Sequence, residues 1–276
     1  MPDCVGRRLK YLIPNRFTVE AVKSIREHTD RPYKITVVDN HSDPEAHSDL
    51  KAKLPNDVEV VMNDRPLPSV ASGRNKVWSL VDSEYFVLLH PDMRVTKGWL
   101  SNLLEALKMG EQEHFKPCAI TPLSAPYLLS DEELYNRYKA HFAVNSLDAM
   151  QAYCDKHGIP CKDGVIYCEP VYPPFIANGE QLMMFAASKW FRDTVGEWDE
   201  RYEGSNYDDV DMALMAITKG CEVLQSTNVF VQHLQSLTNG YGNLIKHNAE
   251  KFIEKWHLTP PIGSTDLFAK LRKEHQ

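Results

Sequence analysis

The feature that most constrains this chain is the alternation of short apolar runs with helix-periodic segments through its first half. Residues 10–14 (KYLIP) and 34–39 (KITVVD) are strand-like runs, and between them FTVEAVKSIREHTD carries Val19, Val22 and Ile25 at helical spacing. Together they predict a βαβ unit. DVEVVMN (57–63) predicts a third strand, VASGRNKVWSLVD (70–82) a helix, YFVLL (85–89) a fourth strand and KGWLSNLLEALKMG a further helix. Repeated alternation of this kind predicts an α/β fold with a mainly parallel central sheet sandwiched by helices. In such sheets ligands bind outside the carboxyl ends of the strands.

That rule locates two carboxylates. Asp39 and Asp92 each lie just past a predicted strand end, so both are expected to face one crevice, with a turn or cap role as the plainer alternative for either. From 122 to 176 the pattern weakens, and the Pro- and aromatic-rich YCEPVYPPFIANG predicts an irregular insertion or lid. Regularity returns with QLMMFAAS (181–188), a strand, and KWFRDTVG, a short helix. The acidic stretch WDERYEGSNYDDVDMALMAITKG then becomes helix-periodic at Val210, Leu214 and Ile217 and stops at Gly220. NVFVQH (228–233) predicts a last strand and NLIKHNAEKFIEKW a terminal helix.

Composition narrows the partners. A net charge of −7 gives no general attraction to nucleic-acid phosphates or anionic lipid. No apolar stretch precedes Pro14 and none reaches the roughly 18 residues of a membrane span, so a soluble chain is expected, cytoplasmic or peripheral to a membrane. Six cysteines in 276 residues do not make a disulfide framework, and Cys154, Cys161 and Cys168, near His157, follow one another at steps of seven that match no paired zinc-ligand spacing.

Taken in order, LIPNRF, ITVVDNHSDPE, GRN, VLLHPDMRV, WDERYEGSNYDDVDM, VQHLQSLT and NAEKFIEKW resemble the family 2 inverting glycosyltransferases with the GT-A fold, from residue 10 to 256 apart from the middle insertion. The resemblance implies a single GT-A catalytic domain over 1–276: a nucleotide-binding half (1–115), an acceptor and metal half (116–235) with its insertion at 122–176, and a C-terminal helical segment (236–276). It also implies the reaction: transfer of a sugar, with inversion, from a UDP-, GDP- or dTDP-sugar. The acceptor would be a hydroxyl of a glycan, a glycolipid or another molecule, nucleic acid included.

The same resemblance assigns residues. Asp39 would accept hydrogen bonds from the nucleotide base or ribose, with Asn40 and Ser42 positioning it. Asn75 resembles the asparagine of the nucleotide-side helix, and Arg74 beside it would meet a phosphate or else be a solvated helix arginine. HPD resembles the family's DxD-type metal motif in its proline variant, so Asp92 would hold a divalent cation, Mn²⁺ or Mg²⁺, against the diphosphate. His90 stands where the family has an acid or asparagine; imidazole favours Mn²⁺, and a sugar contact or a turn histidine are the alternatives. His233 resembles the late histidine that meets metal or diphosphate, against the plainer role of a satisfied core histidine.

In YDDVD, Asp209 aligns with the family's general base and Asp208 with the acid before it. Carboxylates crowded at a helix N-terminus raise one another's pKa, as a base requires, while Asp211 suits a structural role. Trp198 and Tyr207 would pack around sugar or acceptor, or in the core. Two other functions share these features. A sugar nucleotidyltransferase would want a glycine-rich basic loop after the first strand, which YLIPNRFTVE lacks. A non-catalytic sugar- or nucleotide-binding module accommodates His90 but has no use for DDVD.

Overall fold

The computed structural model describes residues 4–138, 143–168, 176–179, 182–204, 206–234, 242–257 and 273. In chain order the first half forms α1 (Cys4–His28), β1 (Thr36–Asp39), α2 (Pro44–Lys53), β2 (Glu59–Met62), α3 (Val70–Leu80), β3 (Tyr85–Leu88), β4 (Met93–Val95), α4 (Trp99–His114) and β5 (Cys118–Ala125). Small elements follow: β6 (Tyr127–Leu128), α5 (Glu132–Tyr138), β7 (Ala143–Val144), α6 (Leu147–His157), β8 (Cys161–Lys162), β9 (Val165–Ile166) and β10 (Ile176–Asn178). The chain then returns to the core with β11 (Phe185–Ser188), α7 (Lys189–Val195), α8 (Asp208–Thr218), β12 (Glu222–His233) and α9 (Gly242–Trp256).

The segment expected to open the sheet is helical. KYLIP lies inside α1, which runs through Pro14, and α1 buries Phe17, Ala21 and Val22 beyond it. An apolar run of five is too short for periodicity to separate strand from helix, and the helical face downstream decides the outcome. The β1–β2 pair is parallel, as expected, but forms a sheet of its own.

The main sheet is mixed rather than mainly parallel. Its order is β10-β12-β5-β11-β3, with β4 also on β12. β5 and β12 are parallel, whereas β11 is antiparallel to β3 and β5, and β4 and β10 are antiparallel to β12. A strand buried on both faces reads as an apolar run whichever way it points, so direction is not in the pattern. β5 escaped expectation because Pro122 interrupts it, and a proline counts against a central strand.

Alternation along the strands fills both faces. Ile120 and Leu224 point to the side where Leu103 and Leu107 of α4 pack, while Ala119 and Val223 point to the side of Trp78, Phe191, Met212 and Phe252. Each of the larger aliphatic and phenyl side chains among them contributes about 1.5–3 kcal/mol on burial. The helices on this second face, α3 and α8, present the polar residues described next.

Candidate functional site

β3 ends at Leu88, and His90-Pro91-Asp92 makes the turn into β4, with the Met93 N–H donating to the His90 carbonyl at 3.3 Å. β12 pairs β4 with His233 opposite Met93, and the Leu234 N–H donates to the Asp92 carbonyl at 3.2 Å. Strand register thus brings the late histidine against the HPD turn. His233 Nε2 lies 3.4 Å from Asp92 Oδ1, and the His90 and His233 rings meet edge to face with centroids 5.8 Å apart.

His90, Asp92 and His233 each offer a ligand atom, and these atoms lie within 4.8 Å of one another. His233 Nδ1 is buried with no hydrogen-bond partner, an expense that an unliganded core histidine would not normally bear. Burial would raise the Asp92 pKa, but the hydrogen bond and charge of His233, with His90, hold it below its ordinary value. Burial and then the charge of Arg74 push His90 down to about 3, so it is neutral near pH 7. Two imidazoles and a carboxylate are donor types that suit a divalent cation of the Mn²⁺ type.

Arg74 is not a solvated helix arginine. α3 starts at a capping box formed by Ser69 and Ser72, and one turn later the Arg74 side chain, 5% exposed, runs inward. Its Nη2 donates to His90 Nε2 at 2.8 Å and to the Met183 carbonyl at 3.1 Å. Its Nη1 lies 3.0 Å from Asp208 Oδ2. The guanidinium stacks over the Trp198 ring, 4.2 Å from its centroid. Nε and Nη1 lack a well-directed hydrogen bond, which leaves donor capacity beside the cluster.

Asp208 and Asp209 open α8, whose N-cap is Tyr207, so neither carboxylate is the cap. Asp208 is buried against Arg74, and Asp209 is half-buried. Burial first, and then the charge of Asp208, push the Asp209 pKa up to about 6, with Arg74 pulling the other way. Asp211 faces away: its carboxylate accepts from Tyr202, Trp256 and Lys255 at 2.7–2.9 Å and ties α8 to α9.

The residues expected on the nucleotide side form two other groups. Asp39 accepts from the Ser42 N–H at 2.9 Å and pairs with His47 Nδ1 at 2.7 Å. Burial opposes its ionisation, yet these hydrogen bonds outweigh it and lower its pKa. His47 was not anticipated, although a histidine on the helix after β1 was open to view. The exposed Asn40 accepts from the Leu67 N–H at 2.8 Å and donates to its carbonyl at 3.1 Å. Asn75 grips the Trp198 backbone, donating to its carbonyl at 3.0 Å and accepting from its N–H at 2.8 Å, and donates to Glu200. The arrangement therefore brings together Arg74, His90, Asp92, His233, Asp208 and Asp209, while Asp39, Asn40, Ser42 and Asn75 share no hydrogen bond with that cluster.

Residues 15–122 match the family profile described as glycosyl transferase family 2. That segment belongs to glycosyl transferase family 2, and the fold is GT-A. The family 2 segment carries Asp39, Arg74, Asn75, His90 and Asp92, whereas Asp208, Asp209 and His233 lie beyond it. Among solved structures, that of GalNAc-T7 with UDP, GalNAc and Mn²⁺ is similar at a TM-score of 0.55 and 15% identity, covering 92% of this chain and 51% of that one. S. aureus TarS is similar at 0.49 and 11% identity, covering 87% of this chain and 38% of that one. This chain thus spans about half the length of GalNAc-T7. No curated protein sequence matches it.

Proposed function

We propose that this protein is a metal-dependent inverting glycosyltransferase that uses a nucleotide-sugar donor. The observation that carries the reading is the joining of two functional groups by one buried guanidinium: Arg74 touches His90 of the cation triad on one side and Asp208, neighbour of the raised-pKa Asp209, on the other. The two groups are what transfer needs, a place for the departing diphosphate and a base for the incoming hydroxyl.

In this reading Asp39, positioned by Ser42 and Asn40, receives the nucleoside, and Asn75 holds the Trp198 segment behind Arg74. Asp92 and His233 would hold a divalent cation, joined by His90 once Arg74 releases its Nε2, and that cation would neutralise charge on the diphosphate. The free donor capacity of Arg74 serves the same anion. Asp209 takes the proton of the acceptor hydroxyl as its oxygen forms a bond to the anomeric carbon. The bond from that carbon to the diphosphate breaks, its electron pair leaving with the phosphate oxygen. Attack from the face opposite the leaving group inverts the centre. The chain is read as one catalytic domain, with 122–176 over the acceptor side.

UDP-sugars are the first donors to test, since GalNAc-T7 was solved with UDP, GalNAc and Mn²⁺. The experiment mixes protein with UDP-, GDP- and dTDP-sugars, with and without Mn²⁺, and follows thermal shift, nucleoside diphosphate release and the anomeric configuration of the product. One nucleotide should stabilise the protein only with Mn²⁺, and its sugar should be released inverted. A retained anomer sinks the single displacement, and no shift with any nucleotide sinks the reading itself.

A further inference from the structure

The turn that presents Asp208 and Asp209 is strained and is held from outside. Asn206 and Tyr207 have φ of 85° and 69°, two neighbouring non-glycine residues in the left-handed region, each costing on the order of 1–3 kcal/mol. Tyr207 caps α8 with no side-chain hydrogen bond. A turn of this kind persists only where surrounding contacts over-determine it. On one side Gly204 supplies them: its carbonyl accepts from the Val70 N–H at 2.7 Å and its N–H donates to the Pro68 carbonyl at 3.2 Å, at the start of the helix that bears Arg74.

On the other side stands Asn248 of α9. It is fully buried, unusual for asparagine. Its Oδ1 accepts from the Glu203 N–H at 3.0 Å, and its Nδ2 donates to the Glu203 carbonyl at 2.8 Å and to the Asn206 carbonyl at 3.3 Å. These three bonds go to one loop, the one that leads into the carboxylate pair. α9 has its own anchors elsewhere: Phe252 in the core, and Lys255 and Trp256 on Asp211. Among the described residues Lys251 and His247 pair with the exposed Glu203 carboxylate, ion pairs worth little in water, and Lys251 also donates to the Arg201 carbonyl.

We infer that Asn248 is a positioning residue: its buried amide clamps the left-handed turn at Asn206 and Tyr207 and so aims the Asp208–Asp209 pair into the site. The inference rests on the reading of Asp209 as base. It also assigns α9, which lies outside the family 2 segment, a part in the chemistry rather than in packing alone.

The test compares Asn248→Asp, Asn248→Ala and Lys251→Met with the parent by amide hydrogen exchange and by steady-state kinetics. Asn248→Asp keeps side-chain volume but turns an acceptor toward two carbonyls. It should speed exchange of the amides of 203–211 about tenfold, leave β5 and β12 unchanged, and lower kcat about tenfold with donor KM within about twofold. Asn248→Ala should do the same, and Lys251→Met should match the parent in both readouts. Parental exchange, loosened exchange with parental kcat, or a uniform rise in exchange across the sheet would each overturn the positioning role. If the parent transfers no sugar from any donor, the functional reading fails instead, and exchange alone decides whether the clamp exists.

Discussion

Arg74 Nη1 and Asp208 Oδ2 form an ion pair 3.0 Å apart in which each side chain is at most 6% exposed. One partner comes from α3 in the first half of the chain and the other from the first turn of α8. The pair fixes Asp208 beside its neighbour, and burial followed by the charge of Asp208 raises the Asp209 pKa to about 6, with Arg74 pulling the other way.

Breaking that pair from one side strands a buried charge. Arg74→Met or Asp208→Asn should each lower stability by about 3–5 kcal/mol, and the double variant should recover part of the loss. Denaturant unfolding of the three variants measures the coupling. Additive losses would show that the two groups do not depend on each other.

Asp209→Asn should lower turnover on the order of a hundredfold or more with donor affinity nearly intact, because a base acts in the transition state. In the parent, turnover should rise with pH through about 6, where Asp209 ionises, and level off above it. The stability effect has the opposite sign. A carboxyl whose folded pKa is raised above its unfolded value destabilises the fold once it is charged. Asp209→Asn should therefore melt a few degrees above the parent at pH 8, and the gap should close as pH falls below about 6. A flat rate profile between pH 5 and 7 would move the base elsewhere.

Removal of Asp92 should uncouple nucleotide from metal. Asp92→Asn is expected to bind nucleoside diphosphate at least about tenfold more weakly and to lose most of its response to Mn²⁺. Titration calorimetry with and without the ion reads both. Unchanged affinity and unchanged Mn²⁺ dependence would take Asp92 out of the cation site.

Asp39→Ala should weaken binding of the nucleoside itself, metal present or not, since Asp39 shares no hydrogen bond with His90, Asp92 or His233. Equal affinity for a nucleoside in the variant and parent would leave Asp39 as a turn and His47 partner only.

What could be read in the sequence was whatever is local. The strands leading to Asp39 and to the HPD turn, the helix from Val70 and the acidic start of α8 are each written in a few adjacent residues, and the structure has them within a residue or two of where the pattern put them, with β3 ending at Leu88. What could not be read was long-range. KYLIP looks like a strand until the helix beyond it is in place, β5 hides behind Pro122, and nothing in YFVLL says that an antiparallel β11 will lie beside it. The inward turn of Arg74 was invisible for the same reason: exposure of a helix residue depends on what packs over it, here Trp198 and Asp208. Asn248 carries no motif at all, because a clamp on backbone atoms needs only an amide in the right place.

The pairing of His233 with Met93 across β12 and β4 has a consequence for the order in which the protein comes into being. A ribosome that has just released residue 122 has made the whole family 2 segment, with His90 and Asp92, and the β1–β2 pair can already zip together behind it. His233 is then still more than a hundred residues from synthesis, as its distance from residue 122 requires. Because a domain folds as a unit, the cluster of His90, Asp92 and His233 can be completed only after β12 has been made.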